Sequence, residues 1–232
     1  MTLADTLPLN RRRIRSFVRR EGRMTDAQKD ALVRLWPRYG VDAPAAPLDC
    51  AALFGRDAPV VMEIGFGNGD CLLARAQAET GKNFLGVEVH RPGVGRVLHH
   101  AEQLQLTNLR VVCHDAVELL RDAVAAQTLA ELVIYFPDPW PKKRHHKRRL
   151  IQAEFAALAA SRLGIGGYLR LATDWADYAA QMLSVLNAEP ALRNCAPDRG
   201  YVARPALRPK TRFEARGERL GHGVFDLEFE RV

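Results

Sequence analysis

One segment of the chain places a carboxylate and an aromatic side chain in a backbone that has little freedom. Residues 136–141 read Phe-Pro-Asp-Pro-Trp-Pro, so three prolines restrict φ and remove backbone donors around Asp138 and Trp140. Residues 142–149 follow with six lysines or arginines, two histidines and no acid. An anionic centre beside such a run suits a polyanionic substrate that presents one group for reaction. The alternative is a stiff surface loop followed by a solvated charged face.

A second candidate site is a glycine-rich turn. The apolar run Val60–Ile64 leads into Gly-Phe-Gly-Asn-Gly-Asp at residues 65–70, where the glycines allow close approach of the backbone to a ligand. A dinucleotide-binding turn requires G-x-G-x-x-G, whereas Asp70 occupies the third glycine position here. A carboxylate at that position would repel a pyrophosphate, so the spacing argues against an NAD(P)-dependent oxidoreductase.

Three acids stand at the ends of consecutive candidate strands. S-adenosylmethionine has no phosphate but carries a sulfonium and an ammonium group, so carboxylates near the turn favour it. Glu63 suits that cationic part, and Glu88 stands where an acid accepts hydrogen bonds from both ribose hydroxyls. Asp115 either accepts from the adenine amino group or only caps a helix. Acids at neighbouring strand ends would line one crevice.

An alternation of short apolar runs with helical patterns predicts the elements that position these side chains. The candidate strands are Val60–Ile64, Phe84–Val89, Leu109–Cys113, Leu132–Phe136 and Tyr168–Ala172. Helical patterns begin near Asp70, Gly93, Val117, Lys147 and Trp175. Near the C-terminus, Phe225, Leu227 and Phe229 alternate with acids, as in a half-exposed antiparallel strand toward one edge. The pattern predicts an α/β fold with a mainly parallel sheet and helices on both faces.

Composition and charge restrict the class of protein. At 232 residues the chain suits one domain over residues 59–232, preceded over residues 1–58 by a basic arm and a connector with one helix near Asp26–Leu35. The formal charge of +7 includes twelve positive charges from residues 11–20 and 142–149, so the rest of the chain is acidic overall. Two concentrated basic runs suit nucleic-acid phosphates. The sequence has no run of apolar residues long enough for a bilayer, so no membrane partner is expected.

The four cysteines are far apart in the sequence, and no histidine lies at ligand spacing from them; they are Cys50, Cys71, Cys113 and Cys195. We therefore expect no metal and no disulfide framework, and a cytoplasmic location with reduced thiols.

Several motifs in combination resemble those of the bacterial tRNA (guanine-N7-)-methyltransferases, a family of class I S-adenosylmethionine-dependent enzymes. They are Arg15-Ser16-Phe17-Val18-Arg19-Arg20 with Gly22-Arg23, Glu63-Ile64-Gly65-Phe66-Gly67-Asn68-Gly69, Phe136-Pro137-Asp138-Pro139-Trp140-Pro141-Lys142-Lys143-Arg144-His145, Ala172-Thr173-Asp174 and Thr211-Arg212-Phe213-Glu214. The resemblance implies a Rossmann-like methyltransferase fold with a seven-stranded, mainly parallel sheet and an antiparallel C-terminal strand. It also implies methyl transfer from S-adenosylmethionine, with S-adenosylhomocysteine as product, to N7 of the guanine at position 46 in the variable loop of tRNA.

The resemblance also implies roles for individual residues. The implied cofactor-binding residues are Glu63, Gly65, Gly67, Glu88, Asp115 and Asp138, and Asp138 is also the implied catalytic residue. The implied substrate-binding residues are Lys142, Asp174, Thr211, Arg212, Phe213 and Glu214. The implied RNA-binding residues are Arg144, His145, His146, Lys147, Arg148 and Arg149. The chain would act as a monomer or a homodimer.

Guanine chemistry suits these residue types. N7 is an acceptor with a free lone pair, so its methylation requires orientation and charge stabilisation, which we assign to Asp138, and no strong base. Asp174 and Glu214 complement the N1–H and 2-amino donors of guanine. Phe213 or Trp140 would stack on the base, and Lys142 and Arg212 would hold O6 or phosphate.

Two other hypotheses remain beside this one. A non-catalytic RNA-binding module would explain the basic runs but leave the acids at the strand ends unexplained. A methyltransferase that modifies another nucleobase atom or another RNA shares most of the same features.

Overall fold

The computed structural model describes residues 16–17, 22–42, 46–206, 208 and 223–232. In this part of the chain one sheet has eight strands in the order β1-β4-β3-β2-β5-β6-β8-β7. The strands are β1 (Gly40–Val41), β2 (Val60–Ile64), β3 (Asn83–Val87), β4 (Leu109–Val112), β5 (Leu129–Tyr135), β6 (Leu163–Thr173), β7 (Leu192–Asn194) and β8 (Phe225–Arg231). Strand β8 runs antiparallel to both of its neighbours, and the other pairings are parallel. The predicted sheet is confirmed, with the two-residue strand β1 as an addition.

Helices cover both faces of this sheet, as predicted. They are α1 (Asp26–Arg34), α2 (Trp36–Tyr39), α3 (Cys50–Phe54), α4 (Asp70–Ala78), α5 (Arg91–Gln103), α6 (Ala116–Ala123), α7 (Ala153–Arg162) and α8 (Ala176–Asn187). Helices α6, α7 and α8 supply buried residues to the core on one face, and α1, α4 and α5 to the core on the other. No helix in these described ranges is both long and apolar enough to cross a membrane.

The N-terminal segment that the sequence predicts as a connector contributes to this core. Ala31, Leu35 and Tyr39 are buried in the same cluster as the apolar residues of α5. Close packing of α1 on α5 requires a glycine, because a Cβ on Gly95 would lie 2.6 Å from the backbone oxygen of Gln28. Helix α1 begins with a capping box formed by the N-cap residue Thr25.

The helix predicted near Lys147 begins six residues later. Residues 143–148 form a 3₁₀ helix, and α7 starts at Ala153. Between them Arg149 and Ile151 are buried, and the Ile151 N–H donates to the Tyr178 hydroxyl at 3.1 Å. A continuous α-helix is replaced by an extended link because the chain turns inward here to bury these two side chains.

Candidate active site

A cavity of about 470 Å³ opens at the carboxyl ends of β2, β3, β4 and β5. Four of the predicted cofactor-binding residues line it, namely Gly65, Glu88, Asp115 and Asp138. Its apolar wall includes Ile64, Val87, Val117, Ile134 and Leu150. The carboxyl ends of parallel strands meet at one edge of the sheet, which is why residues distant in sequence converge here.

The glycine turn that begins this wall is folded tightly against α5. Gly65, Gly67 and Gly69 have φ of +70°, +55° and +76°, a region that side chains with a Cβ rarely adopt. A Cβ on Gly93, in the first turn of α5, would lie 2.2 Å from the Gly67 carbonyl oxygen. Gly67 contacts Glu88 through its N–H and is not among the lining residues of the cavity. The glycines therefore allow both the positive φ angles of the turn and its close packing against α5.

Glu88 is held in place by three backbone donors. Its Oε2 accepts from the Gly67 N–H at 2.9 Å, and its Oε1 accepts from the N–H groups of Val89 and His90 at 2.6 and 2.9 Å. The side chain is buried yet borders the cavity. Glu88 therefore links the glycine turn to the β3–α5 loop. Its carboxylate can still accept a hydrogen bond from a ligand.

Asp115 performs the capping role that the sequence left open. Its Oδ1 accepts from the Val117 N–H at 2.9 Å, so it is the N-cap of α6. Asp115 also lines the cavity, and this cap bond involves one of its two carboxylate oxygens. The two interpretations of this residue are therefore compatible.

Glu63 lies apart from the other predicted acids. It is 5% exposed, does not line the cavity, hydrogen-bonds with Cys71 and is within electrostatic reach of Arg75, and both of these residues belong to α4. Burial raises the pKa of Glu63 to about 7, against the opposing effects of Arg75 and the Cys71 hydrogen bond. The structure separates this carboxyl group from the acids that line the cavity.

The proline-rich segment follows β5 and carries Asp138 at the cavity. Asp138 is exposed and lines the cavity beside Pro137. The flanking residues Phe136 and Trp140 have φ of +53° and +45°, which is strained for residues with a Cβ. The Phe136 N–H donates to the Ala172 carbonyl at 2.8 Å and so continues the β5–β6 pairing up to the site. Such strain persists only where surrounding contacts impose it.

Trp140 is packed on several sides. Its Nε1–H donates to the Ser16 carbonyl oxygen at 3.0 Å. The Arg148 guanidinium lies 4.8 Å from its ring centroid, and the His145 ring meets it edge-on at 5.8 Å. In this arrangement Trp140 supports the loop, and stacking on a base would require one of these neighbours to move.

The basic run divides into exposed and buried members. Four side chains are exposed, Lys142, Lys143, Arg144 and Lys147, whereas His145, His146 and Arg148 are half-buried. Partial burial and the neighbouring cations hold the pKa of His145 below its ordinary value.

Arg149 is a correction to the predicted RNA-binding set. Its side chain is 2% exposed in the interior, and all three guanidinium nitrogens donate to protein acceptors. A phosphate cannot reach a guanidinium in that position without unpacking the protein. The sequence could not separate it from Arg148, because both belong to one uninterrupted run of cations.

The remaining predicted substrate residues lie at the end of β6 and beyond it. Asp174 follows β6 and is half-buried, while the next residue, Trp175, is exposed. Thr211, Arg212, Phe213 and Glu214 lie outside the described residues. Near them in sequence, Arg208 is buried and donates twice to Asp226 of β8, at 2.8 and 2.9 Å. The Arg208 guanidinium also lies 5.6 Å from the ring centroid of Phe136, so it supports the segment that follows β5.

Sequence reasoning did not assign Ser16, Phe17, His90 or His114 to the site, and all four line the cavity. Ser16 and Phe17 come from the arginine-rich arm, and His90 and His114 come from the loops after β3 and β4. An apolar side chain within a run of arginines was the available signal for Phe17. His90 and His114 had no comparable signal, because their position follows from the folding of the loops.

Comparison with known proteins finds relatives over nearly the whole chain. A family model described as "Putative methyltransferase" matches residues 57–227. The tRNA (guanine-N(7)-)-methyltransferase of Bordetella pertussis is 58% identical over 94% of this chain and 85% of that protein. The protein of the same name from Klebsiella pneumoniae is 55% identical over 95% of this chain and 92% of its own length.

Solved structures show the same fold at low identity. A variant of the 16S rRNA (adenine(1408)-N(1))-methyltransferase from Catenulisporales acidiphilia, solved with cosubstrate SAM, has a TM-score of 0.53 and 14% identity. The match covers 78% of this chain and 89% of that one.

Proposed function

The chain belongs to the family of bacterial tRNA (guanine-N(7)-)-methyltransferases, and from this premise we propose that it methylates N7 of guanine 46 in the tRNA variable loop. The methyl donor in this proposal is S-adenosylmethionine. The observation that carries the proposal is the cavity at the strand ends, which has fixed acids along its wall, Asp138 beside it and the basic run immediately after.

The residues of the cavity fit S-adenosylmethionine. Its volume of about 470 Å³ suits a ligand of that size, and its walls combine aliphatic side chains with carboxylates. Glu88 would accept from the ribose hydroxyls, and Asp115 from the adenine amino group. Gly65 would let the backbone approach the ligand, since beyond its two chain neighbours no other described residue has an atom within 4 Å of the place its Cβ would occupy. We assign no direct contact to Glu63, which is buried and does not line the cavity.

Bound S-adenosylmethionine supplies an electrophilic methyl group on a sulfonium sulfur. The nucleophile is guanine N7, whose lone pair needs no deprotonation, so the protein has to align the two groups and stabilise the positive charge that develops on the purine. Asp138 is suited to both tasks, because its carboxylate borders the cavity on a segment with restricted φ. Asp174, which follows the neighbouring strand β6, would accept from the donors of the guanine edge.

The exposed cations after the loop would bind the RNA backbone. Lys142, Arg144 and Lys147 project from the 3₁₀ helix region into solvent. His145, His146 and Arg148 complete the proposed RNA surface at its inner side. Residues 211–214 lie outside the described residues, and the role in recognising the base that the sequence predicts for them stays a prediction. N7 of a guanine in an A-form helix lies in a deep groove, so the target has to be in a loop or drawn out of its stack.

The test is a methylation assay with the purified protein, methyl-labelled S-adenosylmethionine and unmodified tRNA, followed by digestion to nucleosides. We expect the label in 7-methylguanosine, and none when guanine 46 of the transcript is replaced by adenine. Asp138→Asn should reduce turnover strongly while tRNA binding is retained. Label in another nucleoside would show a different target, and absence of both labelling and cofactor binding would favour the non-catalytic RNA-binding module.

A further inference from the structure

We propose that Arg149 is a positioning residue for methyl transfer, which holds the Pro139 carbonyl and thereby orients Asp138. The inference rests on the proposed function, because it assigns Asp138 to the reaction. It replaces the RNA-binding role that the sequence predicts for Arg149.

Hydrogen bonds from Arg149 join the proline-rich segment, residues 136–141, to α8. Arg149 Nε donates to the Pro139 carbonyl at 2.9 Å. Nη1 donates to Gln181 Oε1 at 2.6 Å, and Nη2 to Asp177 Oδ2 at 2.5 Å. Both acceptors lie on α8, and the guanidinium also lies 4.9 Å from the ring centroid of Tyr178. Because α8 packs in the core, Arg149 transmits a fixed position from that helix to the residue that follows Asp138.

The loop needs an anchor of this kind because of its own sequence. Prolines at 137, 139 and 141 have no N–H, so the segment has few donors with which to bind the rest of the protein. The carbonyl oxygens of the segment can still accept hydrogen bonds, and Pro139 is next to Asp138 in the sequence. The positive φ of Phe136 and Trp140 would relax if the surrounding structure no longer imposed it. Removal of the Arg149 hydrogen bond should therefore leave Asp138 present but misdirected.

A lysine at position 149 separates this role from phosphate binding. Lysine keeps the positive charge, but its single nitrogen cannot occupy the three guanidinium positions, which point to the loop and to two sites on α8. Phosphate binding would largely survive the change, whereas the anchor would be removed.

The first experiment compares Arg149→Lys with Arg144→Gln, a change at an exposed cation of the same run. For Arg149→Lys we expect kcat to fall at least 30-fold, while the dissociation constants for tRNA and S-adenosylmethionine stay within threefold of wild type. The salt slope of tRNA binding, which is the slope of log affinity against log salt concentration, should be unchanged. Arg144→Gln should instead weaken tRNA binding and make it less dependent on salt. A reduced salt slope for Arg149→Lys, or a kcat within threefold of wild type, overturns the proposal.

The second experiment asks whether Arg149 acts through Asp138. Single-turnover rates are measured with excess enzyme for Asp138→Asn, Arg149→Lys and the double variant. The double variant should be as slow as Asp138→Asn alone. Once the Asp138 carboxylate has been replaced, loss of its orientation by Arg149 cannot lower the rate further. If the rate losses of the two single variants instead multiply in the double variant, Arg149 supports the structure independently of Asp138 and the proposal is overturned.

A milder variant covers the case in which Arg149→Lys does not fold. Asp177 is exposed in the first turn of α8, so Asp177→Asn should fold while it weakens the hold on Arg149. We expect a three- to tenfold loss of kcat without a change in the salt slope, and an unchanged kcat would count against the anchor. Failure of the proposed function is distinguishable, because wild type would then yield no 7-methylguanosine in the same assay.

Discussion

The indole Nε1–H of Trp140 donates to the backbone carbonyl of Ser16 at 3.0 Å, across 124 positions of sequence. This bond joins the proline-rich segment to the arginine-rich arm at the point where Ser16 and Phe17 border the proposed cofactor cavity. The arm therefore contributes to the wall of the site as well as carrying charge.

Trp140→Phe tests this link, because phenylalanine keeps an aromatic ring but lacks the donor. One neutral hydrogen bond contributes about 0.5–1.5 kcal/mol, so we expect S-adenosylmethionine to bind roughly 2- to 10-fold more weakly. Isothermal titration calorimetry measures the change. Trp175→Phe, at an exposed tryptophan outside the cavity lining, is the matched control and should bind normally. Equal affinity of Trp140→Phe and wild type would show that the Ser16 hydrogen bond does not shape the cavity.

Glu88→Gln should impair both the cofactor site and the fold around it. The carboxylate accepts three backbone N–H bonds, and an amide offers only one oxygen and places an N–H₂ group among donors. We expect at least 30-fold weaker S-adenosylmethionine binding and a loss of about 1–3 kcal/mol in the free energy of unfolding. Calorimetry and denaturant unfolding provide the two values. Glu154→Gln, an exposed residue of α7, should change neither, and normal binding by Glu88→Gln would remove this residue from the cofactor site.

The raised pKa of Glu63 predicts that the free energy of unfolding depends on pH. Its pKa is about 7 in the folded protein and 4.5 in its ordinary state, so the folded state binds a proton that the unfolded state has lost. Stability should therefore fall as pH rises from about 4.5 through 7, and Glu63→Gln should abolish this contribution. At pH 8 the variant should be more stable than wild type by up to about 3 kcal/mol, and at pH 5 by less than about 1 kcal/mol. Urea unfolding at both pH values checks this. A variant less stable than wild type at pH 8 would show that the ionised carboxylate is stabilised by Arg75.

The exposed members of the basic run should determine the salt dependence of tRNA binding. Arg144→Gln combined with Lys147→Gln should weaken binding about 10-fold or more and lower the slope of log affinity against log salt by about one for each phosphate that is no longer neutralised. Fluorescence anisotropy over a range of salt concentrations measures both. Arg193→Gln removes an exposed cation of the edge strand β7, outside the basic run, and should leave the slope unchanged. An equal change in both proteins would indicate a general effect of net charge.

Much of the fold and the family could be predicted from sequence because the signals are local. Apolar runs such as Val60–Ile64 and Leu132–Phe136 correspond to the buried strands β2 and β5, and the alternation from Phe225 corresponds to the antiparallel strand β8. The position of Asp138 after β5 follows from the same pattern, since a strand that ends at proline has to deliver its next residues to the edge of the sheet.

By itself, the sequence determined the residue types, the β-α order and the combination of an acid, prolines and cations after the fourth predicted strand. Only the tertiary structure decided which of those side chains point outward. Arg148 and Arg149 are adjacent and chemically identical, yet one lies against Trp140 at the surface and the other is buried against α8. The physical reason is that burial depends on which distant groups can satisfy a charge. For Arg149 these are the Pro139 carbonyl, Asp177 and Gln181, which only the folded chain brings together.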